Sequence, residues 1–344
     1  MSAFAFYRLP HGDSYTLIEQ TDGEPERLRS LSQLNGRSGF VVAPFAVSAA
    51  DPLLLIRPDR VETIVPDDIP VGPHRPSPIT PHPSSDYHID FANYHAQLQE
   101  GTFQKIVLAR STTLKTNTVR SGRELFLDAC RLYPRMFICL VSTPQSGTWL
   151  TATPEILLEC RADRWQTIAL AGTMKLEGDE LQGEGEHVTW TTKNIQEQRY
   201  VATYITECLE QFTTDFTERG PYTARAGHLV HLRSDFTFTL PDNDRLGDVL
   251  QTLHPTPAVC GLPKRAAFDF ILKNEHSPRH YYSGFMGPLL LQGTHLFVSL
   301  RCMQLLADGY RLYAGGGLLP DSTEEQEWLE TEAKMETMRT LLYI

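Results

Sequence analysis

MFICLVSTPQSGTWLTATPEILLECRADRWQTIALA, residues 136–171, decides the fold. Four apolar runs, at 136–142, 149–152, 156–160 and 166–171, follow one another with turn residues between them at Pro144-Gln-Ser-Gly and Arg161-Ala-Asp. That is the pattern of successive strands. Links so short leave no room for a crossover helix, so neighbouring strands run antiparallel. Farther on, 295–306 and 310–314 make a second meander around Ala307-Asp-Gly, whose Asp-Gly pair is a good hairpin signal.

Outward from these meanders the pattern changes. Residues 1 to about 60 alternate short apolar runs (39–45, 53–56) with turn residues, which predicts a few strands. Between Pro66 and Ser85 the chain is too rich in proline for helix or central strand, and reads as a linker. Helices are expected at about 90–100, 186–211, 244–252, 263–275 and 323–342. Strands and helices in separate runs, without βαβ alternation, point to an α+β fold on antiparallel sheet. Residues 1–85 are expected to pack as N-terminal strands and linker on a core formed by 86–344, the whole making one unit.

With 344 residues, 41% of them hydrophobic, the chain can bury a sizeable core. Its 42 acidic residues against 31 basic ones, a net charge of −11, argue against nucleic acid or an anionic membrane as partner, since either needs a basic surface. No apolar stretch approaches the roughly 18–20 residues that span a bilayer. The first eight residues lack the charged start and long apolar run of a secretory signal, so a cytoplasmic protein is expected. Six scattered cysteines, with no Cys-x-x-Cys pair, read as free thiols in a reducing compartment.

Several polar side chains interrupt apolar patterns. In the 186–211 helix, Trp190, Val201, Tyr204, Ile205 and Cys208 mark one face, and at about 100° per residue Glu197 falls on it. A carboxylate there is protonated, paired, bound to a cation, or at a solvated edge. In the last helix Glu327, Glu330 and Lys334 form an i, i+3, i+7 stripe beside Trp328, Met335, Met338 and Leu342. The stripe is either a solvated acidic face or converges with Glu197 on a hard cation, for which carboxylate oxygens are natural ligands. Before it comes Ala314-Gly-Gly-Gly-Leu-Leu-Pro, either a plain loop or backbone that brings N–H groups close to an anion. Lys105 opens a strand-like run, where a lysine is ordinarily an exposed end. Arg301 interrupts the apolar run 296–303, where a buried arginine needs an anionic partner.

Taken in order, Phe103-Gln-Lys-Ile-Val-Leu-Ala-Arg, Ala152-Thr-Pro-Glu-Ile-Leu-Leu, Ala169-Leu-Ala-Gly-Thr, Lys193-Asn-Ile-Gln-Glu-Gln, Leu253-His-Pro-Thr-Pro-Ala-Val-Cys-Gly-Leu-Pro, Tyr281-Tyr-Ser-Gly, Ser299-Leu-Arg and the glycine run with Glu327-x-x-Glu330-x-x-x-Lys334 resemble the chorismate-utilising enzyme family. The family includes isochorismate, salicylate and aminodeoxychorismate synthases and anthranilate synthase component I. The likeness runs from about Phe91 to the C-terminus. It implies a layered antiparallel β-sheet core with helices on the outside, a chorismate-binding catalytic domain over 86–344, and Mg²⁺ as cofactor. By that likeness Glu197 and Glu330 hold the metal with Glu327 in support. Gly172, Thr173, Tyr281, Arg301, Gly315, Gly316, Gly317 and Lys334 hold the substrate.

Lys105 stands where the isochorismate and salicylate synthases have the lysine that activates water and the anthranilate enzymes have glutamine. Ala171 stands where aminodeoxychorismate synthases carry a nucleophilic lysine. Both positions imply water as nucleophile, added at ring carbon 2 with loss of the carbon 4 hydroxyl, which is an isomerase reaction. Lys105 is then the base and Glu155 the acid. His231 and His254 match family histidines, with a core role and a catalytic role both open. Asn194 and Gln198 depart from the acidic residue and histidine that many relatives carry, so a second carboxylate on that helix is missing. Two alternatives stand: a salicylate synthase, which goes on to eliminate pyruvate, and a non-catalytic acidic binding module. The expected protein is a monomer that acts on chorismate, without a glutaminase subunit, in menaquinone or siderophore biosynthesis.

Overall fold

Phe137, Cys139 and Val141 point to one side of their strand and Ile138 and Leu140 to the other, and all five are buried. Both faces of the strand are therefore covered, which is why its sequence reads as a continuous apolar run instead of an alternation. The computed structural model describes residues 3–66, 84–161, 164–176, 188–226, 229–240, 244–291 and 293–343. Among these residues the strands form two antiparallel sheets of nine. In the first, Gly261–Leu262, Lys105–Lys115, Gly309–Leu318, Cys302–Leu306, Gly147–Thr153, Phe137–Thr143, Ala3–Arg8, Tyr15–Gln20 and Arg60–Ile64 lie side by side. The second runs Phe216–Ala226, Leu229–Phe238, Arg164–Lys175, Ile156–Arg161, Thr294–Val298, Phe285–Leu289, Gly39–Ala43, Leu53–Ile56 and Glu26–Leu28.

The sheets pack face to face through a cluster drawn from both, in which Phe137 of the first stacks on Phe297 of the second at 4.3 Å between ring centres. Outside the second sheet lie the helices Thr192–Leu209 and Leu246–Leu253. Outside the first lie Gly122–Leu132 and Glu324–Leu342. Ser85–Gln99 and Lys264–Asn274 cover the Lys105–Lys115 end. The result is the α+β layered fold with helices outside. Strands from the first 66 residues are rows of both sheets: Ala3–Arg8 pairs with Phe137–Thr143, and Gly39–Ala43 with Phe285–Leu289. Most of the proline-rich linker, the Ala162-Asp163 turn and the first two residues of the expected 186–211 helix lie outside the described residues.

Two departures from the sequence reading bear on the site. The run 295–306 is two strands, not one. Thr294–Val298 belongs to the second sheet and Cys302–Leu306 to the first, and the chain crosses between them at Ser299-Leu300-Arg301, where Arg301 takes φ 42°. The chain makes a matching passage at Pro154-Glu155, from Gly147–Thr153 in the first sheet to Ile156–Arg161 in the second. The two crossings are tied by backbone hydrogen bonds, Val298 N–H to the Glu155 carbonyl at 2.9 Å and Ala152 N–H to the Arg301 carbonyl at 3.2 Å. The glycine run, moreover, is strand and not loop. Gly315, Gly316 and Gly317 lie within the Gly309–Leu318 strand, paired with Ala109, Leu108 and Val107.

Candidate active site

The paired crossings place Glu155 and Arg301 at the wall of one cavity between the layers, with about 580 Å³ of empty space, part of it open to solvent. Glu197, His231, Tyr282 and Lys334 also reach it, as do Gly172, Thr173, Gly315 and Gly317. The size suits a small ring substrate.

Glu155 is 3% exposed, and burial pushes its carboxyl up to about 7 against the pull of Lys105, Arg301 and Lys334. It is thus poised to carry a proton near neutral pH. Arg301, equally buried, is pulled down to about 10 by desolvation but stays charged at neutral pH. One of its terminal nitrogens donates to Nε2 of His231, while Nε and Nη1 are buried without a partner. Buried unpaired guanidinium donors are costly, and an anionic ligand relieves that cost. His231 Nδ1–H donates to the Gly172 carbonyl at 2.9 Å. With one nitrogen donating and the other accepting from Arg301, the ring is neutral, in keeping with the fall in its pKa caused by burial and by Arg301. His231 therefore orients Arg301.

Lys105 is not an exposed strand end. It is fully buried, and its ammonium lies 2.9 Å from Glu197 Oε1, close enough for an ion pair but off the line of a hydrogen bond. Glu197 Oε2 accepts from Gly172 N–H at 3.1 Å, where the Arg164–Lys175 strand shifts register and Gly172 takes φ +70°. Burial alone would raise the Glu197 carboxyl; Lys105, Lys334 and Lys193 outweigh it and hold the group below its ordinary value. Glycine at 317 makes this possible, since a Cβ there would sit 2.2 Å from Glu197 Oε1 and 2.8 Å from Lys105 Cε. At Gly315 it would sit 2.8 Å from the Tyr282 hydroxyl, and at Gly316, on the other face, 2.8 Å from Glu327 Oε2. The run is empty of side chains because others fill the space on both faces.

Glu327, Glu330 and Lys334 share a face of the last helix as the stripe predicts. Glu327 is 1% exposed and paired through Oε1 with Lys193, while its Oε2 is buried without a hydrogen-bond partner. Burial and the neighbouring Glu330 push its carboxyl up to about 7 against Lys193. Glu330 pairs with Lys334 at 2.7 Å, and Lys334 also donates to the Gly315 carbonyl at 2.9 Å. Among the described residues no three acidic, histidine or cysteine side chains are grouped closely enough to hold a metal. Each of the three carboxylates expected at the metal has a lysine beside it instead. The donor chemistry still fits a hard cation: an orphaned buried carboxylate oxygen on Glu327, with Glu330 repelling it, is what a divalent ion would relieve.

Besides Gly316, which is not part of the lining and faces Glu327, two expected residues lie elsewhere. Tyr281 does not line the cavity: its hydroxyl donates to the Pro52 carbonyl at 2.9 Å and its ring packs edge-on to Trp149. The neighbouring Tyr282 lines it. His254 is buried against Phe285, Nε2 facing the Phe45 carbonyl at 3.3 Å, and burial with nearby Lys264 takes it down to about 3. It serves the core. Gln198, where a histidine was expected by likeness, donates to the Ala169 carbonyl and to the Ser234 hydroxyl, tying its helix to the second sheet.

Residues 72–343 match the family model described as "Chorismate binding enzyme". Over 249 residues, 71% of this chain and 57% of the relative, the chain is 33% identical to isochorismate synthase MenF of Escherichia coli K12. It is 32% identical to a salicylate biosynthesis isochorismate synthase of Pseudomonas aeruginosa, over 72% of this chain and 52% of that protein. The chain thus spans little more than half the length of these two relatives. The solved structure of MenF, the menaquinone-specific isochorismate synthase from Escherichia coli, superposes with a TM-score of 0.82 at 24% identity, covering 99% of this chain and 88% of that one. At that identity the superposition shows a shared fold.

Proposed function

The chain belongs to the chorismate-binding enzyme family, and from that premise we propose that it is an isochorismate synthase, an isomerase converting chorismate to isochorismate. The observation that carries the proposal is a pair of buried groups: Glu155, able to hold a proton near neutral pH, on the cavity wall, and Lys105, which is packed against two residues of that wall, Gly317 and Glu197, and is close enough to Glu155 to act on its charge. Two carboxylate-seeking cations, Arg301 and Lys334, also line the cavity.

In the proposed reaction Lys105 takes a proton from a water as its oxygen bonds to ring carbon 2. The ring double bonds shift, the carbon 4–oxygen bond breaks, and the Glu155 carboxyl gives its proton to the departing hydroxyl, which leaves as water. One water enters and one leaves, so the overall change is an isomerisation. Glu155 ends ionised and Lys105 charged, and a proton passed between them, directly or through solvent, resets the site. Lys105 accepts a proton only when neutral, and Glu197, 2.9 Å away, fixes where its nitrogen stands. Arg301, held by His231, binds a substrate carboxylate through its unpaired donors, and Tyr282 and Lys334 frame the ring. Mg²⁺, when bound, would neutralise charge at the ring carboxylate and fix its position, held by Glu197, Glu327 and Glu330. No step of proton transfer needs more than the side chains named.

Among the described residues no helix is long and apolar enough to cross a membrane. We place the enzyme in the cytoplasm as a monomer working without a glutaminase subunit, its product feeding menaquinone or siderophore synthesis. The test is product identification by NMR after incubation with chorismate and Mg²⁺. Isochorismate alone supports the reading. Salicylate with pyruvate, anthranilate in the presence of ammonia, or unchanged chorismate each overturns it.

A further inference from the structure

Three carboxylates and three ammonium groups meet beside the reaction cavity: Glu197 with Lys105, Glu330 with Lys334, and Glu327 with Lys193. With all six ionised their charges sum to zero, so the cluster as a whole gives a divalent cation no net attraction. Two of the lysines have further work there. Lys105 is wholly enclosed, and Lys334 lines the cavity and donates to the Gly315 carbonyl as well as to Glu330. Lys193 is different. It does not line the cavity, its ammonium donates to Glu327 Oε1, and its side chain is 23% exposed where that of Glu327 is 1%. Its place in the chain is also unfavourable for a cation. Lys193 is the second residue of the Thr192–Leu209 helix, whose first turn carries no acidic residue. Backbone N–H groups make that end of a helix partly positive, and a lysine there is repelled. Glu327 belongs to the Glu324–Leu342 helix, so the pair joins helices that cover different sheets.

A divalent cation is drawn to the same carboxylate. Glu327 Oε2 is buried without a hydrogen-bond partner, and Gly316 leaves room beside it, since a Cβ there would sit 2.8 Å from that oxygen. An ion at Oε2 and the ammonium at Oε1 would share one carboxylate and repel each other. Of the two cations the lysine is the one with a way out, because its flexible stem reaches solvent. We propose that Lys193 is an exchangeable counter-ion of Glu327: it holds this carboxylate until a divalent cation arrives, then turns to solvent, and its charge sets the metal affinity of the site. The assignment of Mg²⁺ as that cation rests on the proposed function.

The test is metal binding, without substrate or turnover. Mn²⁺ is titrated into chelator-treated protein at about pH 8.5, above the carboxyl range, and read by loss of the free-ion EPR signal; Mg²⁺ is measured by competition against it. K193Q binds both ions about tenfold more tightly than wild type, the effect of removing one positive charge close to a divalent ion. A lysine that merely orients Glu327 predicts the reverse, weaker binding on its loss. K193R, which keeps the charge, stays within about threefold of wild type. In the E327Q background the gain from K193Q shrinks to about threefold or less, since the two residues act as a pair. In the wild type, acetic anhydride labels Lys193 severalfold faster, by mass spectrometry, once Mg²⁺ is saturating and the ammonium has left its partner. Equal or weaker binding by K193Q, a gain in K193R as large as in K193Q, an undiminished gain in the E327Q background, or labelling of Lys193 that Mg²⁺ leaves unchanged overturns the counter-ion. Binding of neither ion by wild type and K193Q alike overturns the metal reading instead.

Discussion

Replacing Glu155 by glutamine separates what this carboxyl does for the reaction from what it costs the fold. The group is 3% exposed, and burial lifts it from 4.5 to about 7. An acid whose folded value lies above its unfolded one contributes stability that is fully present below the unfolded value, 4.5, and is lost as the pH rises through about 7. At about 1.4 kcal/mol per unit, the full loss over that window is about 3 kcal/mol. Roughly 2 kcal/mol of it falls between about pH 5.5 and pH 8. Glutamine has the same shape and no charge to desolvate, so E155Q should gain about that much on wild type over this interval, seen as a few degrees in Tm. Activity moves the other way: loss of the acid lowers kcat by about 10² to 10⁴. In the wild type the limb of kcat/KM that falls with rising pH should lie near 7, and that of kcat higher, because the bound substrate's carboxylates further disfavour ionised Glu155. A Tm difference between E155Q and wild type that is the same at both pH values would refute the buried neutral carboxyl, and retained turnover would refute its role as acid.

K105Q should abolish turnover and leave chorismate affinity, measured by calorimetry, within about threefold, since the cavity is lined by Glu197 and Gly317 in front of the lysine and not by the lysine itself; wild-type turnover would remove Lys105 as base. G317A places a methyl group 2.2 Å from Glu197 Oε1 and must displace the Lys105–Glu197 pair. A misplacement of about 1 Å there costs on the order of 10² in kcat/KM, with about 1–3 kcal/mol of stability, and unchanged kinetics would show that the pair has no part in the reaction. Enzyme stripped by a chelator should lose turnover and regain it with Mg²⁺, and E327Q should need about tenfold more Mg²⁺ by calorimetry and by activity; an identical requirement would take Glu327 out of the metal site.

The antiparallel core was readable because strands covered on both faces carry unbroken apolar runs, as at 137–143, and because their links are short. Other elements were invisible for physical reasons. Phe216–Ala226 is an edge strand, mostly exposed over its first half, so its sequence has no apolar signal to read. Leu229–Phe238 is interrupted by His231, which lines the cavity, and by Arg233 and Asp235, which pair with each other. The helix Gly122–Leu132 did leave a mark, the capping box of Ser121 with Glu124, which a search for helix starts would have found.

For the site, the sequence marked the residues whose type conflicts with their surroundings, and it failed where only geometry decides. Lys105 and Arg301 stood out as cations in apolar runs, and the structure buries both. Tyr281 and Tyr282 are adjacent tyrosines, so nothing in composition tells which one faces the cavity; a strand or turn shifted by one residue exchanges them. The convergence of Glu155 with Arg301 was equally hidden. Glu155 falls in a short break between two apolar runs and Arg301 inside what looks like one, and only a change of sheet at both places, with Arg301 in a left-handed conformation, turns the two residues toward a common space. That makes the crossings, more than any one side chain, the element that builds the site. A non-glycine residue at positive φ persists only where surrounding contacts fix it, and here these include the hydrogen bonds of Ala152 N–H to its carbonyl and of its guanidinium to His231.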